Sequence, residues 1–151
     1  MFYEEIRIGQ VTELGSATFS RKSILAYAQF DPRILEAARD GGPLSASGLH
    51  IGAALMRRLV ESRDALRAAM KARGEVLPEL GVSPGFRNMR WPHPVIEGDA
   101  ISFSMEVVSK RETSKPKWAL VENAFRGVNQ RGEDVLIFSS LVLAARRSAE
   151  K

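Results

Sequence analysis

Asp31 and Glu36 are the first residues in the sequence that suggest chemistry. The two carboxylates stand five positions apart around a break at Pro32. A buried carboxylate whose pKa is raised can exchange protons near neutral pH, which is what general acid–base catalysis requires. The alternative is structural: Asp31 ends a helix, and Glu36 is a solvated residue of the next one. The spacing alone favours the structural interpretation.

A second candidate is the segment from Ser47 to His50, which starts the longest predicted helix. Ser47 is a suitable N-cap residue, and the first amides of a helix lack partners within it and lie at its positive end. Because Gly48 has no side chain, an oxygen can approach those amides closely, and a developing enolate or oxyanion could be stabilised there. Alternatively, the small residues only let the helix end pack tightly, and His50 is a buried histidine with satisfied hydrogen bonds.

The helix predicted from Gly48 to about Gly74 has two different halves. From Leu49 to Met56 it is apolar on every side, apart from His50. A helix that is apolar all round is typically a buried one. Beyond Met56, arginines and carboxylates make the pattern amphipathic. We therefore expect the rest of the chain to enclose the N-terminal half of this helix and to leave the C-terminal half in solvent.

Strand patterns in the second half of the chain predict that enclosure. Residues 101–107 alternate between apolar and polar side chains, which is the period of a strand with one buried face. Further strands are predicted over 86–91, 118–128 and 135–145, with turns at 97–99 and 130–133. Long antiparallel strands that follow one buried helix predict an α+β fold, in which a sheet curls around the helix.

Shorter elements precede the long helix. Strands are predicted over 6–11 and 17–19, separated by Gly15 and Ser16, and Ser20 is a suitable N-cap for a short helix. A second short helix is predicted over 33–39.

Composition narrows the class of protein. The chain has 151 residues without repeats or linkers, which predicts one domain over residues 1–151. It has no cysteine and only two histidines, so we expect neither a disulfide framework nor a metal site. No secretory signal and no apolar run of about 18 residues is visible, and we expect a cytoplasmic protein that does not bind membranes. The net charge of +4 comes from scattered basic residues, which favours solubility or an anionic ligand over nucleic acid.

Four ordered segments resemble the MaoC-like dehydratases, including the (R)-specific enoyl-CoA hydratases. Tyr3-Glu4-Glu5 with Ile8-Gly9-Gln10 resembles the opening of that family, and the segment from Ile24 to Pro32 resembles its I-x-x-F-A-x-x-x-D-P pattern. Residues 46–50 resemble A-S-G-W-H, and residues 89–99 resemble L-R-W-x-x-P-V-x-x-G-D. The resemblance covers nearly the whole chain and implies a hot-dog fold, in which an antiparallel sheet wraps one long helix.

The resemblance also implies a function. Members of the family add water reversibly to trans-2-enoyl-CoA thioesters, with an aspartate and a histidine that activate one water molecule. Asp31 falls on the family's aspartate, and Gly48 would hold the thioester carbonyl. Ser47, His50 and Arg90 are then expected near the substrate, although Arg90 can equally be a structural partner of a carboxylate. The implied partners are an acyl-CoA substrate and a second copy of the chain, with no cofactor beyond the coenzyme A of the substrate.

One departure from the family pattern keeps other functions open. Glu36 stands where the family has its histidine. Two carboxylates repel each other, so one of them would tend to stay protonated and could then donate a proton. An Asp/Glu hydratase is therefore one hypothesis. An acyl-CoA-binding protein without activity and an acyl-CoA thioesterase are the alternatives.

Overall fold

A five-stranded antiparallel sheet and one long helix form the centre of the structure. This computed structural model describes residues 1–147. In the order in which they pair, the strands are β1 (Val11–Thr18), β3 (Ala100–Glu112), β4 (Trp118–Val128), β5 (Asp134–Ala145) and β2 (Gly85–Arg90). The helices are α1 (Arg21–Ala26), α2 (Arg33–Arg39) and α3 (Gly48–Ala72), and short 3₁₀ turns span Tyr3–Glu5 and Tyr27–Gln29. The predicted α+β class, with a long helix against an antiparallel sheet, is confirmed.

The core lies between α3 and the sheet. Ile51 and Leu55 of α3 are buried among aromatic side chains of the three long strands, Phe103, Phe125 and Phe138. The rings of Phe125 and Phe138 stack with their centroids 4.8 Å apart. Because each buried side chain of this kind contributes about 1.5–3 kcal/mol, these contacts hold the first turns of α3 against the sheet.

Burial of α3 is confined to one side. Leu49 is 67% exposed and Met56 is 40% exposed in the single chain, and Ala53 between them is also exposed. The expectation that the first turns are buried on every side is therefore wrong for one copy of the chain, because one sheet covers only one side of a helix. Within residues 1–147, no helix is both long enough and apolar enough to cross a bilayer.

The first strand differs from its prediction. A single strand, β1, replaces the two strands predicted over 6–11 and 17–19. The strand passes through Gly15, where φ is +85° and the pairing with β3 shifts register after Glu13. This is a β-bulge, and a glycine adopts its positive φ without steric cost. The Gly15-Ser16 pair therefore bends the strand rather than ending it.

Several local predictions are confirmed. Helix α2 and strand β4 have the predicted bounds. The Ser20 hydroxyl accepts a hydrogen bond from the Ser23 amide at 3.1 Å and so caps α1. At the end of α3, the amide of Gly74 donates to the carbonyl of Lys71, and the next amide donates to that of Met70. This pair of bonds satisfies carbonyls that the helix leaves free.

Backbone contacts attach the amino end of α3 to the segment before β3. The Ala46 amide donates to the Val95 carbonyl at 2.9 Å, and the Glu97 amide donates to the Leu44 carbonyl at 2.8 Å. Residues 91–95 therefore lie beside the first turn of α3, where the cavity described below is found.

Candidate active site

A cavity of about 610 Å³ lies at the amino end of α3. Four stretches of chain form its wall: the turn after α1, the start of α2, the first turn of α3 and the segment before β3. The lining residues are Tyr27, Phe30, Asp31, Arg33, Ala46, Ser47, Gly48, Leu49, Ile51, Trp91, Pro92, His93, Pro94 and Val95. The cavity therefore brings together three predicted site residues, Asp31, Ser47 and Gly48.

The turn between α1 and α2 places Asp31 in this wall. The amides of Phe30 and Asp31 both donate to the carbonyl of Tyr27, which closes the 3₁₀ turn. Pro32 then occupies the N-cap position of α2, and Ile34 is buried and anchors that helix in the core. The Asp31 side chain is only 14% exposed as a result.

Two side chains hold the Asp31 carboxylate. Arg33 donates to it from Nε at 2.8 Å and from Nη2 at 2.9 Å, and the Ser47 hydroxyl donates to Oδ2. Hydrogen bonds that favour the charged form lower a carboxyl pKa. Arg33 first, and then Ser47, hold the pKa of Asp31 well below its usual range. Asp31 is therefore a carboxylate at neutral pH, and the raised pKa that one interpretation of the carboxylate pair requires is not found at this residue.

Ser47 occupies the N-cap position of α3 but does not cap it with its side chain. The first amide with an acceptor on the helix is that of Ile51, which donates to the Ser47 carbonyl at 3.1 Å. Among residues 1–147, the amides of Gly48, Leu49 and His50 have no backbone acceptor. Free amides at a helix N-terminus favour an anion or a partly negative oxygen.

The fit between Gly48 and Trp91 explains why a glycine begins α3. The indole Nε1 of Trp91 donates to the Gly48 carbonyl at 3.0 Å. A Cβ atom at position 48 would lie 2.6 Å from the Trp91 ring, which is closer than real Cβ contacts allow. Only glycine fits beneath this indole, and the contact fixes the orientation of the first peptide of the helix.

Glu36 and Arg90 do not line the cavity. On α2, Glu36 follows the buried Ile34 by two residues, or about 200° of helical rotation, and its side chain is exposed. The structure therefore does not bring Glu36 into the cavity with Asp31. Arg90 is exposed at the end of β2, and the next residue, Trp91, lines the cavity instead.

His50 lies behind the cavity wall. Its ring stacks on Tyr27 with centroids 4.6 Å apart and meets Phe19 edge-on at 5.0 Å. Burial lowers the pKa of His50, so its imidazole is neutral at physiological pH. The buried Nδ1 has no hydrogen-bond partner among the residues that the structure describes. His50 supports Tyr27 and does not itself line the cavity.

Sequence reasoning missed Arg33 and His93, which line the cavity with the expected residues. Arg33 stands two positions after Asp31, and this proximity was the available signal. His93 stands between two prolines, just beyond the strand predicted over 86–91. Its Nδ1 lies 3.0 Å from the Asp134 carbonyl. Among residues 1–147, no group of three histidine, aspartate or glutamate side chains could hold a metal ion.

The architecture has close counterparts among solved structures. The MaoC-like dehydratase of Rhodospirillum rubrum superposes with a TM-score of 0.76 and 29% sequence identity, over 97% of this chain and 98% of that one. The chain has the MaoC-like hot-dog fold. The R-hydratase PhaJ1 of Pseudomonas aeruginosa shares this hot-dog fold, with a TM-score of 0.62, 21% identity, and coverage of 97% and 86% of the two chains.

A curated relative of this chain is the mesaconyl-CoA hydratase of Cereibacter sphaeroides. The two are 30% identical over 88 residues, which is 56% of this chain and 26% of the relative. The matched part is thus about a quarter of the length of that relative. No family model matches the chain.

Proposed function

We propose that this MaoC-like protein adds water reversibly to a trans-2-enoyl-CoA thioester. The observation that carries the proposal is one cavity that holds the Asp31 carboxylate together with the amino end of α3. The relatives described above include proteins named as a MaoC-like dehydratase and as a mesaconyl-CoA hydratase, which supports the same chemistry.

In the proposed reaction, Asp31 carries the proton. As the oxygen of water bonds to C3 of the substrate, the carboxylate takes a proton from that water. The electrons of the C2=C3 double bond move to the thioester oxygen and form an enolate. Asp31 then returns the proton to C2 as the carbonyl re-forms, so one water is added and the enzyme is restored. This cycle needs no cofactor beyond the coenzyme A of the substrate.

The amide of Gly48 would stabilise the enolate. It has no acceptor on the helix and lies at the positive end of α3. A fixed donor aimed at a developing negative charge lowers the barrier without any rearrangement of the site. In this proposal Ser47 orients the Asp31 carboxylate, and its hydroxyl already donates to that group. Arg90, by contrast, is given no part in binding substrate, because it lies outside the cavity.

We also propose a homodimer located in the cytoplasm. Phe30 and Leu49 line the cavity and are 70% and 67% exposed, and Met56 extends the exposed apolar surface along α3. A second copy that packs on this side would bury those side chains and close the cavity from water. Sedimentation equilibrium of the purified protein tests this: a dimer supports the proposal, and a monomer at micromolar concentration contradicts it.

A second candidate function is acyl-CoA binding without turnover. Glu36 stands where the family pattern has a histidine, and its side chain is exposed to solvent. Arg33 forms two hydrogen bonds to the Asp31 carboxylate, which is therefore not free to act as a base. A carboxylate with a lowered pKa is a weak base, and these observations favour the alternative. A thioesterase remains the third hypothesis.

Assays with crotonyl-CoA separate the three functions. Loss of the enoyl absorbance supports hydration, release of free thiol indicates a thioesterase, and binding in calorimetry without either change indicates a binding protein. Glu36→Gln and Glu36→His belong in the same experiment. An unchanged rate in Glu36→Gln means that Asp31 needs no help from Glu36, whereas a gain in Glu36→His means that the site lacks an imidazole.

A further inference from the structure

Arg33 makes an unusual contact for a residue in a cavity wall. Its guanidinium forms two parallel hydrogen bonds to Asp31, and yet 84% of its side chain is exposed. Nothing in the core holds Arg33 in this position. The contact therefore joins a mobile type of side chain to the carboxylate that the proposed reaction needs to be free.

The chemistry of the guanidinium points to what can replace Asp31. Its planar fork matches a carboxylate, and it binds one through two hydrogen bonds in the same geometry that Asp31 now uses. A carboxylate on the substrate could take over these bonds, so that the guanidinium keeps a partner of opposite charge. Asp31 would then lose its ion pair, keep its bond from Ser47 and become a stronger base.

We propose that Arg33 selects enoyl thioesters whose acyl chain carries a second carboxylate, and that this carboxylate draws Arg33 away from Asp31. The inference rests on the proposed function and names its substrate class. Arg33 is thus a specificity-determining residue: an acyl group without the carboxylate leaves Asp31 bound to Arg33, and hydration is slow.

The position of Arg33 argues against the phosphates of coenzyme A as its partner. Asp31 must reach the water that attacks C3, and Arg33 lies within 3 Å of Asp31. An anion bound by Arg33 therefore lies near the reacting carbons. The phosphates are separated from the thioester by the whole pantetheine arm. The other basic residue in the cavity wall, His93, already faces Glu133, with its Nε2 at 3.7 Å from that carboxylate.

Two thioesters of equal length test the selection. Crotonyl-CoA and fumaryl-CoA each have four acyl carbons. Crotonyl-CoA carries a methyl group on C3, and fumaryl-CoA carries a carboxylate at the same position. We expect wild type to hydrate fumaryl-CoA with a kcat/KM at least about tenfold higher, and Arg33→Gln to lose this preference while it still hydrates crotonyl-CoA. Arg33→Lys, which keeps the charge without the fork, should keep part of the preference.

Arg39→Gln is the matched control, because Arg39 is exposed on the same helix and lies outside the cavity. It should keep the full preference. A wild type that favours crotonyl-CoA, or an Arg33→Gln variant that still favours fumaryl-CoA, overturns the proposal. The proposal is also overturned if kcat/KM of the Arg33→Gln variant falls by the same factor on both substrates, since that result indicates that Arg33 binds the coenzyme A part that the two share. Thermal unfolding of each variant shows that it is folded.

A binding experiment separates this inference from the hydratase proposal. Succinyl-CoA and butyryl-CoA form the corresponding saturated pair, and neither can be hydrated. If wild type hydrates neither enoyl thioester, the hydratase proposal fails, and calorimetry with this pair decides the role of Arg33. Binding of succinyl-CoA at least about tenfold tighter, abolished in Arg33→Gln, supports selection by Arg33. Equal binding of the two overturns it.

Discussion

The Ser47 hydroxyl donates to the Asp31 carboxylate, although Ser47 stands at the position where a serine usually caps its own helix. The amino end of α3 therefore lacks a side-chain cap and keeps its first amides available. At the same time, the helix end is tied to the turn that carries the carboxylate. One hydrogen bond thus connects the proposed base to the proposed oxyanion donor.

A double-mutant cycle tests whether Ser47 acts on Asp31 or on its own helix. We expect Ser47→Ala and Asp31→Ala to be non-additive in the free energy of unfolding, with a coupling of about 1 kcal/mol, because each removes the same hydrogen bond. Urea denaturation of the four proteins measures this coupling. The matched control is Ser20→Ala, which removes a true cap and should be additive with Asp31→Ala. Additivity at Ser47 would show that the bond to Asp31 contributes nothing to stability.

Two glycines of α3 should respond in opposite ways to alanine. Gly48→Ala places a Cβ atom 2.6 Å from the Trp91 ring, and we expect a loss of about 1–3 kcal/mol in the free energy of unfolding. Nothing lies within 4 Å of a Cβ atom at Gly52, which is inside the same helix. Gly52→Ala should therefore raise stability by up to about 1 kcal/mol.

Chemical denaturation compares these two variants under identical conditions. Replacing Trp91 by leucine in the Gly48→Ala background should recover part of the loss, because the smaller side chain relieves the contact. If Gly48→Ala is as stable as wild type, the close packing of the indole on the helix end is contradicted.

Asp99 predicts a loss of stability in acid. Its side chain is 5% exposed and accepts hydrogen bonds from Arg131, Gln130 and the Ile96 amide. Arg131 is the main cause that lowers the pKa of Asp99 to about 2, from an ordinary value of 3.8. The folded protein thus binds fewer protons than the unfolded chain in this range. The contribution of Asp99 is present above about pH 4 and is lost as the pH falls towards about 2.

Asp99→Asn checks this assignment. We expect it to lower the free energy of unfolding by about 2–3 kcal/mol at pH 7, because Arg131 loses its buried partner. Its stability should also depend less on pH between about 4 and 2 than that of wild type. Asp64→Asn, at an exposed carboxylate on α3, should change neither quantity by much. An acid profile that is the same for Asp99→Asn and wild type would contradict the linkage.

The helices and strands could be predicted where the sequence pattern of one element is sufficient to identify it. The alternation in residues 101–107 is typical of a strand and the apolar residues from Leu49 to Met56 are typical of a buried helix, and the structure has β3 and α3 at these positions. The bulge at Gly15 was missed because a glycine followed by a serine also fits a turn that ends a strand. Exposure of Leu49 was missed because the composition of a helix does not show how many of its sides the chain covers.

The site could be predicted only in part, because the direction of a side chain depends on how its element packs against the rest of the chain. Asp31, Ser47 and Gly48 line one cavity because two turns meet, and all three stand in segments that resemble the family. Glu36 was expected beside Asp31 because it stands where the family pattern has its histidine, but its direction depends on the burial of Ile34, which rotates it to solvent. The contact of Arg33 with Asp31 depends on side-chain conformation, which no sequence pattern reports.

The most direct test of the central proposal is the hydration of crotonyl-CoA by wild type and Asp31→Asn, followed by the loss of enoyl absorbance. Asparagine keeps the shape of the side chain but cannot take a proton from water, so we predict that kcat/KM falls at least about a hundredfold. Asp40→Asn, at the exposed C-cap of α2, is the control and should retain the wild-type rate. Equal rates for wild type and Asp31→Asn would contradict the account.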